Sequence, residues 1–188
     1  MKGRHILLGV TGSVAAFKAA DLTARLVKDG AEVVVIMTES AQRFVTPVTF
    51  EALSRRPVIT SMWQRTQFQE PVHVTLADWT DLLVVAPATA NFLGKLAHGV
   101  ADDMLTCMAI TVQQPPLIAP AMNVNMYLHP AVQENVALLK KRGCAFVGPV
   151  EGRLASGLVA MGRMADVEDI VKSIQSVLAG RKPLSAKR

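Results

Sequence analysis

Short, almost wholly apolar runs alternate with stretches whose apolar positions recur every three or four residues. Ile6, Leu7, Leu8 and Val10 make the first run, and so short a run without polar alternation predicts a strand buried on both faces. Thr11, Gly12 and Ser13 then turn the chain into a helix, where Ala15, Ala19, Leu22 and Leu26 share one face. Gly30 is a natural stop, and residues 32–37 form a second buried strand. Together these make a βαβ unit of about 30 residues. Further strands are predicted over 82–87, 116–119 and 144–147. Helices are predicted over 46–53, 91–97, 104–112 and 130–139, the last with Pro130 in its first turn and Lys140, Lys141, Arg142 and Gly143 closing it. Asp166 is expected to cap a final amphipathic helix through Leu178. Residues 55–71 read as irregular and polar, with Trp63 as a lid or interface residue. Residues 152–163 read as too polar and glycine-rich for a sheet, and instead as a hinged flap. The alternation predicts one α/β domain over 1–180, a doubly wound, mostly parallel sheet flanked by helices.

Composition narrows the classes. In 188 residues, 51% hydrophobic against 19% charged excludes a disordered chain and allows one substantial core. Four of the five net positive charges sit in a basic tail at 181–188 (Arg181, Lys182, Lys187, Arg188), leaving +1 for the rest. That tail, with no basic stripe interleaved with aromatics, argues against a nucleic-acid partner. Cys107 and Cys144 have neither metal-ligand nor disulfide-framework spacing, which fits a reducing compartment. The basic start at residues 1–5 leads into a strand rather than a signal peptide. No run approaches the ~18 apolar residues of a membrane span, so no membrane association and a cytoplasmic location are expected.

Three loops at predicted strand ends could carry chemistry. After the fourth strand, Pro120 to Met126 presents Asn123 and Asn125, each able to donate and accept, with Met122 and Met126 to exclude water. Ligands of open α/β sheets bind at that carboxyl edge; the bland alternative is a loop with a helix-starting Asn. The Gly-Val-Thr-Gly-Ser turn at 9–13 suits an anion at a helix N-terminus. It lacks the third glycine of the dinucleotide fingerprint and the Gly-Lys-Ser/Thr of a Walker loop, so it fits a single phosphate, or is a plain tight turn. Thr38 and Ser40 face the same crevice, and Pro-Ala-Thr-Ala-Asn at 87–91 offers small residues for a flat ring, with Thr89 and Asn91 as hydrogen-bonding groups. His73 is a candidate acid–base residue, although an isolated histidine is more often structural. His5, His98 and His129 have less to recommend them.

These motifs, with Pro-Ala-Met-Asn at 120–123, Met126 and Gly-Arg-Met at 162–164, resemble the flavin-dependent cysteine decarboxylases, homo-oligomeric flavoproteins with a Rossmann- or flavodoxin-like fold. The resemblance is closest to the branch acting on phosphopantothenoylcysteine in coenzyme A synthesis. It implies FMN held by Gly12, Ser13, Val14, Thr38, Ser40, Thr89, Ala90, Asn91 and Ala121, and no metal. It implies His73 as acid–base residue, Asn123 on the substrate carboxylate, and Met126, Ala155 and Gly157 as further substrate contacts. It also implies a homotrimer, or a dodecamer of trimers, with active sites between subunits. Bifunctional bacterial members carry a following ligase domain, and no such domain is expected within these residues.

The implied chemistry is coherent. A cysteine carboxylate cannot simply leave, because the electrons left on Cα have no sink. Oxidation of the sulfur-bearing carbon gives a thioaldehyde, carbon dioxide departs to leave an enethiol, and reduction with protonation completes a saturated thiol. Ser156 stands where the family usually has a cysteine serving the reductive half, and a hydroxyl is a far weaker acid than a thiol. Either it is a natural or engineered replacement that slows enethiol reduction, or the chain is a peptidyl-cysteine decarboxylase of the lantibiotic-modifying type, which stops at the enethiol. Phe92 and Asp103, where the family often has Thr and Asn, are smaller departures. A third reading, a non-catalytic flavin-binding regulator, is disfavoured because such regulators carry long acidic tails and this tail is basic.

Overall fold

Alternate side chains of the apolar strands point to opposite faces of one sheet. In the computed structural model, which describes residues 1–63, 72–155 and 157–180, this places helices on both faces. The strands are β1 (His5–Val10), β2 (Glu32–Met37), β3 (Leu82–Ala88), β4 (Leu117–Pro120) and β5 (Ala145–Phe146), all parallel in the order β2-β1-β3-β4-β5. Ile6, Leu8 and Val10 face α1 (Ala16–Lys28), α2 (Pro47–Ser54) and α8 (Val167–Ala179). Leu7, Leu83 and Ile118 face α3 (Val72–Trp79), α4 (Ala90–His98), α5 (Met104–Thr111) and α7 (Pro130–Lys141). In α8, Ile170, Val171, Ile174 and Leu178 are the buried positions, the three- and four-residue spacing of one helical face. Each such side chain contributes about 1.5–3 kcal/mol of burial.

Strand order rather than strand content places the site. The chain reverses its direction of winding between β1 and β3, and the adjacent loop ends at such a point diverge to leave a crevice. The two loop ends are tied together beneath it. The buried Thr11 hydroxyl donates to the Pro87 carbonyl at 2.8 Å and accepts from the Thr89 N–H at 3.1 Å.

Three expectations need correction. Residues 152–163 are not irregular: β6 (Val150–Arg153) and β7 (Val159–Arg163) form an antiparallel hairpin. Its glycines did not preclude pairing, because Gly152 leaves room for the Arg163 side chain to lie across it; a Cβ at 152 would sit 2.6 Å from Arg163 Nε. A helix absent from the prediction, α3, carries His73 in its first turn. The fifth strand is only two residues long, since Val147 leads into Gly148, whose φ of +72° turns the chain out of the sheet. Asp166 is at the N-cap of α8 as expected, but its carboxylate makes no cap hydrogen bond.

Candidate active site

Four loops at the carboxyl ends of β1, β2, β3 and β4 build two adjoining cavities. The first, of about 520 Å³, is lined by Gly12 from β1's turn, Thr38 and Ser40 from β2's, and Thr89, Ala90 and Asn91 from β3's. Gly12 is required by packing: a Cβ there would lie 2.4 Å from Ser40 Cβ and 3.2 Å from the Ser40 carbonyl carbon. The Thr38 hydroxyl accepts from the Ala41 N–H at 3.2 Å and the Thr89 hydroxyl from the Phe92 N–H at 3.4 Å, so both loops are held locally. The wall beyond them carries Glu39, Asp102 and Asp103, with Lys95. Lys95 Nζ is 2.7 Å from Asp102 and 3.4 Å from Asp103, and the Asp102 hydrogen bond is the chief cause of its raised pKa. The same hydrogen bond holds the Asp102 carboxyl below its usual range. Asp103 also accepts from the Thr106 N–H in a capping box that starts α5.

The second cavity, of about 530 Å³, lies between the α1 turn, the β4 loop and the hairpin. Ser13, Val14, Ala121, Asn123 and Ala155 line it, together with Lys18, Arg153 and Arg163. Asn123 caps α6 (Val124–Leu128), its side-chain oxygen accepting from the Asn125 N–H at 2.8 Å, which leaves the amide NH₂ free to bond a ligand. The hairpin is fastened to this loop. Met122 N–H donates to the Gly162 carbonyl at 3.0 Å, and Gly162 has φ +137°, with the Met122 carbonyl oxygen 2.3 Å from where a Cβ would stand. Asp166 accepts from Lys18 at 3.1 Å and Arg163 at 3.0 Å, and these two bonds, Lys18 first, hold its carboxyl below the usual range.

A family model described as Flavoprotein matches residues 1–179. The chain belongs to that family. The coenzyme A biosynthesis bifunctional protein of Bacillus subtilis is 52% identical to this flavoprotein over 172 residues, covering 92% of this chain and 42% of that relative. The chain spans 42–45% of the length of the first curated relatives it matches. Among solved structures, a cysteine-to-serine mutant of PPC decarboxylase complexed with pantothenoylaminoethenethiol superposes with a TM-score of 0.84 at 31% identity, over 95% of this chain and 100% of that one. SpaF, an FMN-dependent cysteine decarboxylase, superposes with a TM-score of 0.81 at 33% identity, over 94% and 98%.

The flavoprotein's fold thus divides the residues marked from sequence. Gly12, Thr38, Ser40, Thr89, Ala90 and Asn91 meet at one cavity; Ser13, Val14, Ala121, Asn123 and Ala155 at the next. Met126, expected with Asn123, instead lines the first cavity. Gly157 lies in the hairpin turn, lines neither cavity, and has open space around it at φ +86°. Ser156, the 181–188 tail and part of the 55–71 segment lie outside the described residues. His73 is half-buried on α3 and lines neither cavity of the single chain. Asn125 has no place in either lining. Sequence reading missed Thr11 as the tie between loops, and Lys18 and Arg153 as cavity cations. Lys18 had a signal, a lone cation in the first helical turn after an anion-type loop. No helix among the described residues is long and apolar enough to cross a membrane.

Proposed function

We propose that this chain is an FMN-dependent decarboxylase of N-acylated cysteines with a free carboxylate, acting on phosphopantothenoylcysteine in coenzyme A synthesis. The observation that carries the reading is the pair of adjoining cavities. One gathers the flavin-type residues of three strand ends at the β1/β3 switch point, and the other holds Asn123 beside the hairpin. The first cavity fits a flavin mononucleotide in its chemistry. Gly12 leaves the backbone bare for a close approach, Thr38, Ser40, Thr89 and Asn91 supply hydrogen bonds, and Ala90 makes space. When bound, FMN supplies a two-electron acceptor and donor for a carbon–hydrogen bond of the substrate.

The chain's own residues supply the rest. Asn123, its oxygen already engaged, presents N–H donors to a carboxylate, orienting the group that leaves as carbon dioxide. Leu154, Met122 and Met164 line the same cavity and exclude water from it. His73 is the acid–base residue for the proton on the substrate thiol. Since it lines neither cavity in one chain, it serves the site of a neighbouring subunit in a homotrimer. Ser156 takes the sequence position of the acid that serves the reductive half.

The test is incubation of flavin-loaded protein with phosphopantothenoylcysteine, followed by mass spectrometry. Loss of carbon dioxide alone means the full cycle; loss of carbon dioxide and two hydrogens means release of the enethiol. No turnover, with turnover of a peptide ending in cysteine, would replace this reading by the peptidyl-cysteine one, with which Ser156 is equally compatible.

A further inference from the structure

The two cavities carry opposite charge. Among the described residues, three acids line the first beside Lys95, whereas Lys18, Arg153 and Arg163 line the second with no acid in its wall. Their cationic excess is only partly neutralised. Asp166 takes Lys18 and one arm of Arg163, while Arg153 is exposed and makes no ion pair among the described residues. Arg163 Nε is buried with no hydrogen-bond partner, its side chain laid across Gly152. A buried guanidinium N–H without an acceptor is costly unless a ligand completes it. We infer that Lys18, Arg153 and Arg163 seat the phosphomonoester of the substrate, the far end of the molecule whose carboxylate meets Asn123.

The inference rests on the decarboxylase reading for the identity of the substrate. A phosphomonoester carries nearly two negative charges at neutral pH, and a guanidinium fork matches its oxygens. These cations ride on α1 and the hairpin, in the same cavity as Asn123, so one extended acyl-cysteine touches both. The flavin has a phosphomonoester too, and its chemistry is the same. Flavin-type residues line both cavities, Gly12, Thr38 and Ser40 the other one and Ser13, Val14 and Ala121 this one. The cations are assigned to the substrate because Arg153 and Arg163 ride on the hairpin that Gly162 bonds to the Asn123 loop at Met122, with Lys18 tied to Arg163 through Asp166. The hairpin would therefore read the phosphate and thereby separate this substrate from a peptide ending in cysteine.

The experiment is calorimetric binding of 4′-phosphopantothenate and pantothenate, which lack the reacting cysteine, to the flavin-loaded protein. The phosphorylated compound should bind at least about tenfold more tightly at low salt, and the advantage should shrink as salt rises. Arg153→Gln, and separately Lys18→Gln, should each cut the ratio of the two affinities about fivefold or more. Lys18 braces Asp166, so its replacement could also disturb folding; Arg153 makes no such pair, and a ratio is unmoved by a uniform loss of binding. Equal affinities in the parent protein, or a ratio unchanged in both variants, overturns the assignment. So does a fall in the affinity for FMN relative to riboflavin in Arg153→Gln, because the cations would then seat the flavin. Phosphate preference without turnover of phosphopantothenoylcysteine would retain the seat and remove the decarboxylase reading.

Discussion

Thr11→Val should loosen the cavity lined by Thr38, Ser40 and Thr89 from beneath. Valine keeps the shape of threonine and deletes one hydroxyl, which makes two hydrogen bonds on a residue only 2% exposed. Pro87 keeps an acceptor role, because Thr11 N–H also reaches its carbonyl at 3.3 Å. Thr89 N–H has no second partner among the described hydrogen bonds, but Thr89 is half-buried and water can reach the loop. Two bonds at about 1 kcal/mol each, without a full penalty for a stranded donor, give a loss of about 2 kcal/mol. For a chain of this size that is about 4–8 °C in melting temperature. Because Thr89 starts the loop carrying Ala90 and Asn91, FMN affinity should fall as well. Thermal unfolding of apoprotein and fluorescence titration with FMN measure the two effects, and Thr11→Ser should restore most of both. A valine variant within about 1 °C of the parent, with unchanged FMN affinity, would refute the idea that this hydroxyl couples the loops.

Gly162→Ala should cost about 1–3 kcal/mol, since it combines a left-handed φ of +137° with an overlap on the Met122 carbonyl. Substrate KM should rise more than FMN Kd, which steady-state assay and titration separate. His73→Asn should abolish decarboxylation, measured as carbon dioxide release, with the yellow flavin spectrum retained; surviving activity removes its acid–base role. Ser156→Cys should shift the product from enethiol toward saturated thiol by mass spectrometry, and an unchanged product mixture would discard the assigned position. Asp166 is stabilised as the carboxylate, so its contribution is present above the ordinary carboxyl pKa near 4 and is lost as pH falls through the depressed folded value. Acid unfolding should therefore be shallower in Asp166→Asn, by circular dichroism between pH 4 and about 2.

The parallel sheet was legible because its strands are buried on both faces and read as unbroken apolar runs, as residues 82–88 do. Helices with one apolar face, such as α1, were equally plain. The hairpin was missed because its exposed strands alternate weakly: Val159 and Met161 both face outward in the single chain, so no buried period marks them. Residues on one strand end were recognisable as site material from side-chain type. Their division between two cavities was not, because it depends on which loops diverge at the switch point. Met126 shows this: three residues beyond Asn123 in sequence, it turns along α6 into the other cavity. The placement of His73 relative to the cavities was likewise invisible, since it follows from α3 packing on α5 rather than from any local motif.

The fastening of Gly162 to Met122 bears on how this flavoprotein could admit a ligand. A ribbon clamped at its root and laddered along its length behaves as a stiff arm, not a curtain. Leu154, which lines the cavity, is held in turn by its backbone hydrogen bond to Leu158 at 2.8 Å. Changes at Leu154 or Leu158 would then alter the mouth of the Asn123 cavity, while the cavity at the β1/β3 switch point keeps its shape.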